Sequence, residues 1–372
     1  MSNFRKLAAL GQSVWCDYIR RDMIDLGTLQ ALIDEGVLGI TSNPTIFQKA
    51  IGESSLYDEA IAGLVAGGTR DAQAVYEALA FEDIRRTADR FLPVYQRSQR
   101  RDGFVSIEVE PALADDTDAT VARARQIVRA IDRPNVMVKV PGTDAGLPAI
   151  ETLIGDGINV NVTLIFSVEV YQQVFEAFLR GARKHLDRGG DPGGAASVAS
   201  FFVSRIDTAV DSLLEKQIAN GKTHLRDLLG RTAVASAKMA YDRYRQCLQT
   251  DACKDLLRHG IHPQRPLWAS TSTKNRAYRE TIYVDTLIGP DTVNTAPPAT
   301  LEAIRSMTDV RASILEDLDA ARQMPARLEA EGICLAEVTD QLRAAGVQAF
   351  AESFERLLTD IRAKIRTAAA EQ

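Results

Sequence analysis

The sequence predicts an α/β protein, a closed (β/α)8 barrel with additional C-terminal helices, and three observations carry that prediction. Short apolar runs with strand character recur eight times along the chain. Longer amphipathic stretches separate them, and alternation of this kind makes the strands parallel neighbours in one sheet. No G-x-G-x-x-G follows the first run, so the nucleotide-binding open sheet, the main alternative, lacks its fingerprint.

The first run is QSVWCDY at 12–18, followed by LGITSNP at 38–44, GFVSIEVE at 103–110 and NVMVKVP at 135–141. GINVNVTLIF at 157–166, AASVASFFVSR at 195–205, RPLWAST at 265–271 and DTVNTAP at 291–297 complete the series. Apolar residues at helical spacing mark LYDEAIAGLV, DATVARARQIVRAID, GLPAIETLI and VEVYQQVFEAFLRGARKHLD between them. The glycine-rich RGGDPGG at 188–194 precedes a strand instead of opening a helix, so it reads as a connection and not as a phosphate loop. After about Pro298 only helices are expected: TLEAIRSMTDVRASILEDLDAARQM, then LAEVTDQLRAAGVQAFAESFERLLTDIRAKIRTAAAEQ. They are expected to pack on the barrel exterior or cross its mouth. Residues 1–372 therefore read as a single barrel domain, with 298–372 as a helical extension to which no chemistry is assigned.

A chain of 372 residues with 45% hydrophobic and 25% charged residues has ample material for a core. Its net charge of −6 offers no basic footprint for nucleic acid or for an anionic membrane surface, so any bound phosphate needs a local cationic site. No run reaches the apolar length of a spanning helix, and the first residues lack the pattern of a signal peptide. Cys16, Cys247, Cys253 and Cys334 are scattered without a C-x-x-C pair, as free thiols of a reducing compartment would be, and a cytoplasmic location is expected. His185, His224, His259 and His262 have no metal-ligand spacing, so neither a metal nor a cofactor is expected.

Side chains alternate across a strand, and the alternation isolates a polar face. Val136, Val138 and Val140 share one side of their strand, Met137 and Lys139 the other. Val105, Ile107 and Val109 stand opposite Ser106 and Glu108, and Val160, Val162 and Leu164 opposite Asn159, Asn161 and Thr163. The same parity pairs Trp15 with Asp17, and Thr41 with Asn43. In a barrel the all-apolar parity packs on helices and the other points inward, where polar groups near the carboxyl ends of strands build the active site. Singly, each residue has a plain structural reading: Asp17 as a helix cap, Glu108 and Lys139 as an ion pair. Together they ask one interior to hold two carboxylates, an ammonium and several amides without using them, which natural cores avoid.

An inward lysine flanked by carboxylates, with no metal ligands and no nucleophile elbow, fits carbonyl chemistry through a Schiff base. Desolvation lowers a lysine pKa toward the neutral amine that attack requires. The iminium draws electrons so that a neighbouring carbon–carbon bond can break, and Asp17 and Glu108 can divide the proton transfers.

The ordered set GITSNPTIF, VSIEVEP, VMVKVPGT, GINVNVTLIFS, SFFVSRID, WASTSTKN and VNTAP, spanning about Gln12 to Pro297, resembles the transaldolase family, in its longer-chain form, within the class I Schiff-base aldolases. The resemblance implies a TIM barrel transferase of the pentose phosphate pathway. It would move a dihydroxyacetone unit from sedoheptulose 7-phosphate to glyceraldehyde 3-phosphate, giving erythrose 4-phosphate and fructose 6-phosphate. It casts Lys139 as the Schiff-base lysine, Asp17 as the acid/base for bond cleavage, and Glu108 with Thr163 as the pair that positions water. Asn43, Ser106 and Asn161 would hold the dihydroxyacetone hydroxyls, Ser200 and Phe202 would line the pocket, and Arg205 and Lys274, assisted by Ser270, would bind phosphate.

Two features depart from the shorter-chain pattern: WASTSTKN puts two more residues between the serine and the basic residue, and that residue is Lys274 where the pattern has arginine. Lysine binds phosphate as a point charge without bidentate geometry. Cys16 has outward parity and reads as packing. The alternatives are a fructose-6-phosphate aldolase-like enzyme, which in this superfamily usually carries tyrosine at the place of Phe202, and a non-catalytic barrel that binds sugar phosphates. The expected partners are sugar phosphates alone, with the protein a monomer or a homodimer.

Overall fold

Eight parallel strands close into a barrel in strict chain order in the computed structural model, which describes residues 1–370. They are β1 (Gln12–Cys16), β2 (Ile40–Thr41), β3 (Val105–Glu108), β4 (Val136–Pro141), β5 (Val160–Ile165), β6 (Ser197–Phe202), β7 (Arg265–Ala269) and β8 (Thr292–Ala296), with β8 pairing back onto β1. Each expected strand is present. The ladders end earlier than the apolar runs because the chain turns to other partners: after Thr41, Ser42 and Asn43 leave the sheet and Asn43 caps the helix Pro44–Phe47. RGGDPGG is a connection between the helix Val168–Asp187 and β6.

Outward-facing Val136, Val138 and Val140 are buried against the surrounding helices, and inward-facing polar residues fill the barrel in layers. At the amino-terminal end Arg265 and Asp102 form a buried ion pair at 3.0 Å, to which Ser13 and Trp15 add hydrogen bonds of 2.8 and 3.0 Å onto the Asp102 carboxylate. That plug places Trp15 a layer below Asp17. Polar function is thereby confined to the carboxyl end.

The stretch expected to be one helix over 300–324 is broken. A helix covers Pro298–Arg305, a second covers Leu318–Glu329, and the segment between is irregular. Its backbone is satisfied from outside: the Asn3 amide donates to the carbonyls of Ile304 and Met307, and the buried Lys238 ammonium donates to those of Ser313 and Glu316. Backbone groups supplied with such partners do not need a helix.

The final helix, Leu335–Ala370, lies across the carboxyl end of the barrel. Ser353 accepts from Thr45 at 3.0 Å, Asp360 accepts from Gln48 at 3.2 Å, and Lys364 donates to Ser54 and Asp58. Gly346 lets this helix close in, since a Cβ there would stand 2.8 Å from the Leu164 side chain. A helix tolerates the propensity cost of glycine where two surfaces meet this tightly.

The helix Ser204–Ala219 after β6 buries two carboxylates. Asp207 accepts from the Ala233 amide at 2.7 Å and the Tyr283 hydroxyl at 2.8 Å, and Asp211 from Gly230 and Tyr278. Burial pushes the Asp207 carboxyl up to about 7 in spite of these donors. A carboxyl raised in this way favours the folded state most below its unfolded pKa of about 4, and the contribution is lost as pH rises through its folded value. Asp207→Asn should therefore melt higher than the parent near pH 8, by at most about 4 kcal/mol in stability, with the gap closing as pH falls toward about 4. Thermal unfolding across that range checks this, and a gap independent of pH would refute it.

Candidate active site

The β3–β4–β5 register sets Glu108, Lys139 and Asn161 side by side on the inner face. Lys139 is only 5% exposed; its Nζ donates to the Ser42 carbonyl at 2.8 Å and reaches Glu108 Oε2 at 3.4 Å. That second distance is long for a charge-assisted bond. Burial holds the Glu108 carboxyl above the usual range, outweighing the lowering effect of the Lys139 charge. The contact is thus a loose one, and burial shifts the carboxyl toward its protonated form.

Asp17 follows β1 and faces the same space. Thr41 donates to its Oδ1 at 2.6 Å, and Thr41 in turn meets the Thr295 hydroxyl at 2.6 Å, which fixes the carboxylate between strands β1, β2 and β8. Burial raises the Asp17 pKa, against the opposing charges of Lys139 and Lys274 and the Thr41 bond. Burial thus raises both carboxyls beside the amine, the direction that suits groups exchanging protons with a bound substrate.

The floor is a hydrogen-bonded chain across β3, β5 and β6: Asn161 donates to Ser106 Oγ at 3.1 Å and accepts from Ser200 at 2.6 Å. Asn43 spends its Oδ1 on capping Ile46, which leaves its amide nitrogen to donate. Thr163 is fully buried and its hydroxyl has no hydrogen-bond partner among the described residues. It stands in an irregularity of the β5–β6 register, where Leu164 adopts φ +59°. A non-glycine residue in that region carries strain of a kind that collects at functional sites.

One wall is cationic. Arg205 makes no ion pair with any described residue; its guanidinium lies 5.4 Å from the Phe202 ring centroid and 5.8 Å from that of Phe350. Lys274 donates to Ser272 at 2.9 Å, and burial together with Arg205 and Lys49 lowers its pKa. Ser270, at φ +57°, shares a hydrogen bond of 2.9 Å with Ser204.

A cavity of about 340 Å³ joins these groups. Asp17, Asn43, Lys139, Thr163, Ser200 and Phe202 line it, as do Arg205, Ser270 and Lys274. Glu108, Ser106 and Asn161 are not among its lining residues; Glu108 reaches Lys139, Asn161 bonds to Ser200, and Ser106 accepts from Asn161. Among the lining residues that escape sequence reading are Lys49, on the π-helical turn Gln48–Gly52, and Phe350, from the final helix. The sequence assigns this helix no chemistry, and the structure adds Phe350 from it to the cavity lining. Cys16 is buried outside the cavity, and burial pushes its thiol up to about 12, which suits packing and not chemistry. Among the described residues no cluster of histidine, cysteine, aspartate or glutamate could hold a metal ion, and no helix is long and apolar enough to cross a membrane.

A (β/α)8 barrel with a buried lysine amine and two carboxyls of raised pKa at its carboxyl end belongs among the barrel enzymes that work on carbonyl groups. Comparison narrows that class. The family model described as "Transaldolase/Fructose-6-phosphate aldolase" matches residues 14–361. A protein named "Transaldolase 2" from Nostoc sp. PCC 7120 is 42% identical over 98% of both chains. Proteins named "Transaldolase" from Saccharopolyspora erythraea and Frankia alni are 45% and 44% identical, over 98% and 97% of each chain. The chain belongs to the transaldolase/fructose-6-phosphate aldolase family and is an enzyme, a transferase.

Proposed function

We propose that the enzyme transfers a dihydroxyacetone unit from sedoheptulose 7-phosphate to glyceraldehyde 3-phosphate through a Schiff base on Lys139, giving erythrose 4-phosphate and fructose 6-phosphate in the non-oxidative pentose phosphate pathway. The observation that carries this reading is the buried Lys139 amine between two carboxyls of elevated pKa, with a cluster of cations along one wall of the same cavity.

In this mechanism the neutral Lys139 amine attacks the ketose C2 carbonyl. Glu108 gives a proton to the departing hydroxyl, which leaves as water placed by Thr163, and an iminium forms. The Asp17 carboxylate takes the proton of the C4 hydroxyl as the C3–C4 bond breaks; the electron pair flows into the iminium, and an enamine remains while the aldose leaves. The enamine C3 then attacks the acceptor aldehyde, Asp17 returns its proton to the new alkoxide, and water re-enters at C2 to release the product. Asn43, Ser106 and Asn161 hold the dihydroxyacetone hydroxyls, with Ser200 and Phe202 beside them. Arg205, Lys274 and Ser270 bind the phosphate.

Lys49 adds a third cation to that end of the cavity, close enough to depress the Lys274 pKa. Lys49→Ala should raise KM for fructose 6-phosphate about tenfold, the scale of one charge-assisted contact, with kcat within about twofold; steady-state kinetics decide, and an unchanged KM removes Lys49 from the phosphate site. The free thiols Cys16, Cys247, Cys253 and Cys334 support a cytoplasmic location. The chain acts as one catalytic domain, a monomer or a homodimer.

Borohydride added with fructose 6-phosphate tests the whole reading. It should reduce the imine and leave a three-carbon adduct on Lys139; a folded enzyme that forms no adduct rejects the mechanism. Efficient cleavage of fructose 6-phosphate without an acceptor would shift the assignment to an aldolase.

A further inference from the structure

The C-terminal helix brings an aromatic ring to the reaction centre. Phe350 is 5% exposed, lines the cavity, and has its ring centroid 5.9 Å from Lys139 Nζ and 5.8 Å from the Arg205 guanidinium. Four residues earlier on the same helix face, the missing side chain of Gly346 leaves space that Leu164 and Arg205 approach: a Cβ there would lie 2.8 Å from Leu164 and 3.5 Å from an Arg205 nitrogen. The helix is seated against the β5 irregularity and the arginine together.

Arg205 is held in an unusual way. Its guanidinium lies over two rings, Phe202 at 5.4 Å and Phe350 at 5.8 Å, and no described residue accepts a hydrogen bond or ion pair from it. Carboxylate partners would have consumed its donors. Aromatic faces attract the cation through the ring quadrupole and leave the N–H groups free. Burial works against the charge at this position, so the two faces also offset part of the desolvation.

We propose that Phe350 is a positioning residue that sets the enzyme's preference for phosphorylated donors, by clamping Arg205 against Phe202 so that its donors meet the phosphate while the ring roofs the Lys139 nitrogen. The proposal rests on the reading of Lys139 and Arg205 given above. It makes the final helix part of the specificity machinery. A ring that merely packed the helix onto the barrel would affect every donor equally.

The experiment compares fructose 6-phosphate with fructose as donors to the full-length enzyme, using borohydride trapping on Lys139 to obtain an apparent second-order rate for each. In the parent enzyme the adduct must form with fructose 6-phosphate; if it does not, the underlying mechanism fails and not this inference. Phe350→Leu should reduce the preference for the phosphorylated donor about tenfold, the scale of a partly desolvated cation–π contact, mostly through the fructose 6-phosphate rate. Phe350→Met, unbranched and close in volume, serves if the leucine variant melts early, and should show the same loss. Phe350→Tyr keeps the ring and should restore most of the preference. Equal loss for both donors, or an unchanged preference in a folded leucine or methionine variant, overturns the proposal.

Discussion

Lys139→Ala should lower kcat by at least about 10⁵-fold, since the other lysines of the cavity, Lys49 and Lys274, stand with Arg205 at its cationic wall and removal of a nucleophile collapses such a site. The stability of the same variant is equally informative. A tight buried ion pair broken by removal of one partner costs on the order of 3–5 kcal/mol. Here the Glu108 contact is 3.4 Å long and burial already holds the Glu108 carboxyl above its ordinary range. Without Lys139 its pKa rises further, and a raised carboxyl contributes to stability below its unfolded pKa and loses that contribution as pH rises through the folded one. The variant should melt close to the parent near pH 5, with a deficit that widens toward about pH 8. Activity assays and thermal unfolding at both pH values provide the check; a large deficit at every pH would favour a purely structural pair, and retained turnover would eliminate the Schiff base.

Asp17→Asn should reduce turnover by about 10²–10⁴-fold, the usual contribution of a general acid–base group, yet leave imine formation intact. Borohydride would then trap the intact six-carbon sugar phosphate on Lys139 in place of the three-carbon fragment, a difference that intact-protein mass spectrometry reads directly. Asp17 is raised by burial, so the carboxylate form opposes folding and the asparagine variant should melt higher than the parent once pH exceeds the folded pKa. Appearance of the three-carbon adduct at the parent rate would assign the bond-breaking proton transfer elsewhere.

The barrel was legible because its information is local. Alternation of apolar and polar residues over a few positions assigns β4 its outward valines and its inward lysine, and the same rule applied to β3 and β5 places Glu108 and Asn161 beside it. The resemblance then supplied roles that parity cannot, such as those of Arg205 and Lys274. What escaped was long-range. Phe350 sits on a helix whose sequence is an ordinary amphipathic pattern, and nothing within it states that one face will meet Lys139 rather than solvent. Lys49 sits on a turn whose first residue, Gln48, bonds to Asp360, far along the chain. The break between Arg305 and Leu318 rests on Asn3 and Lys238, which satisfy carbonyls that a helix would otherwise have used. The φ of +59° at Leu164 follows from a register shift against β6, and no local residue preference announces it.

The roof across the barrel mouth also orders events during synthesis. Thr45 and Ser353 are 308 residues apart, and Gln48 and Asp360 are 312 apart, so these contacts close very long loops and form late. At about 5–20 residues per second, a nascent chain that has completed β8 waits several seconds before the helix bearing Phe350 can reach the opening. Until that helix arrives, the site lacks the ring that stands over Lys139, so a late-made segment completes the catalyst.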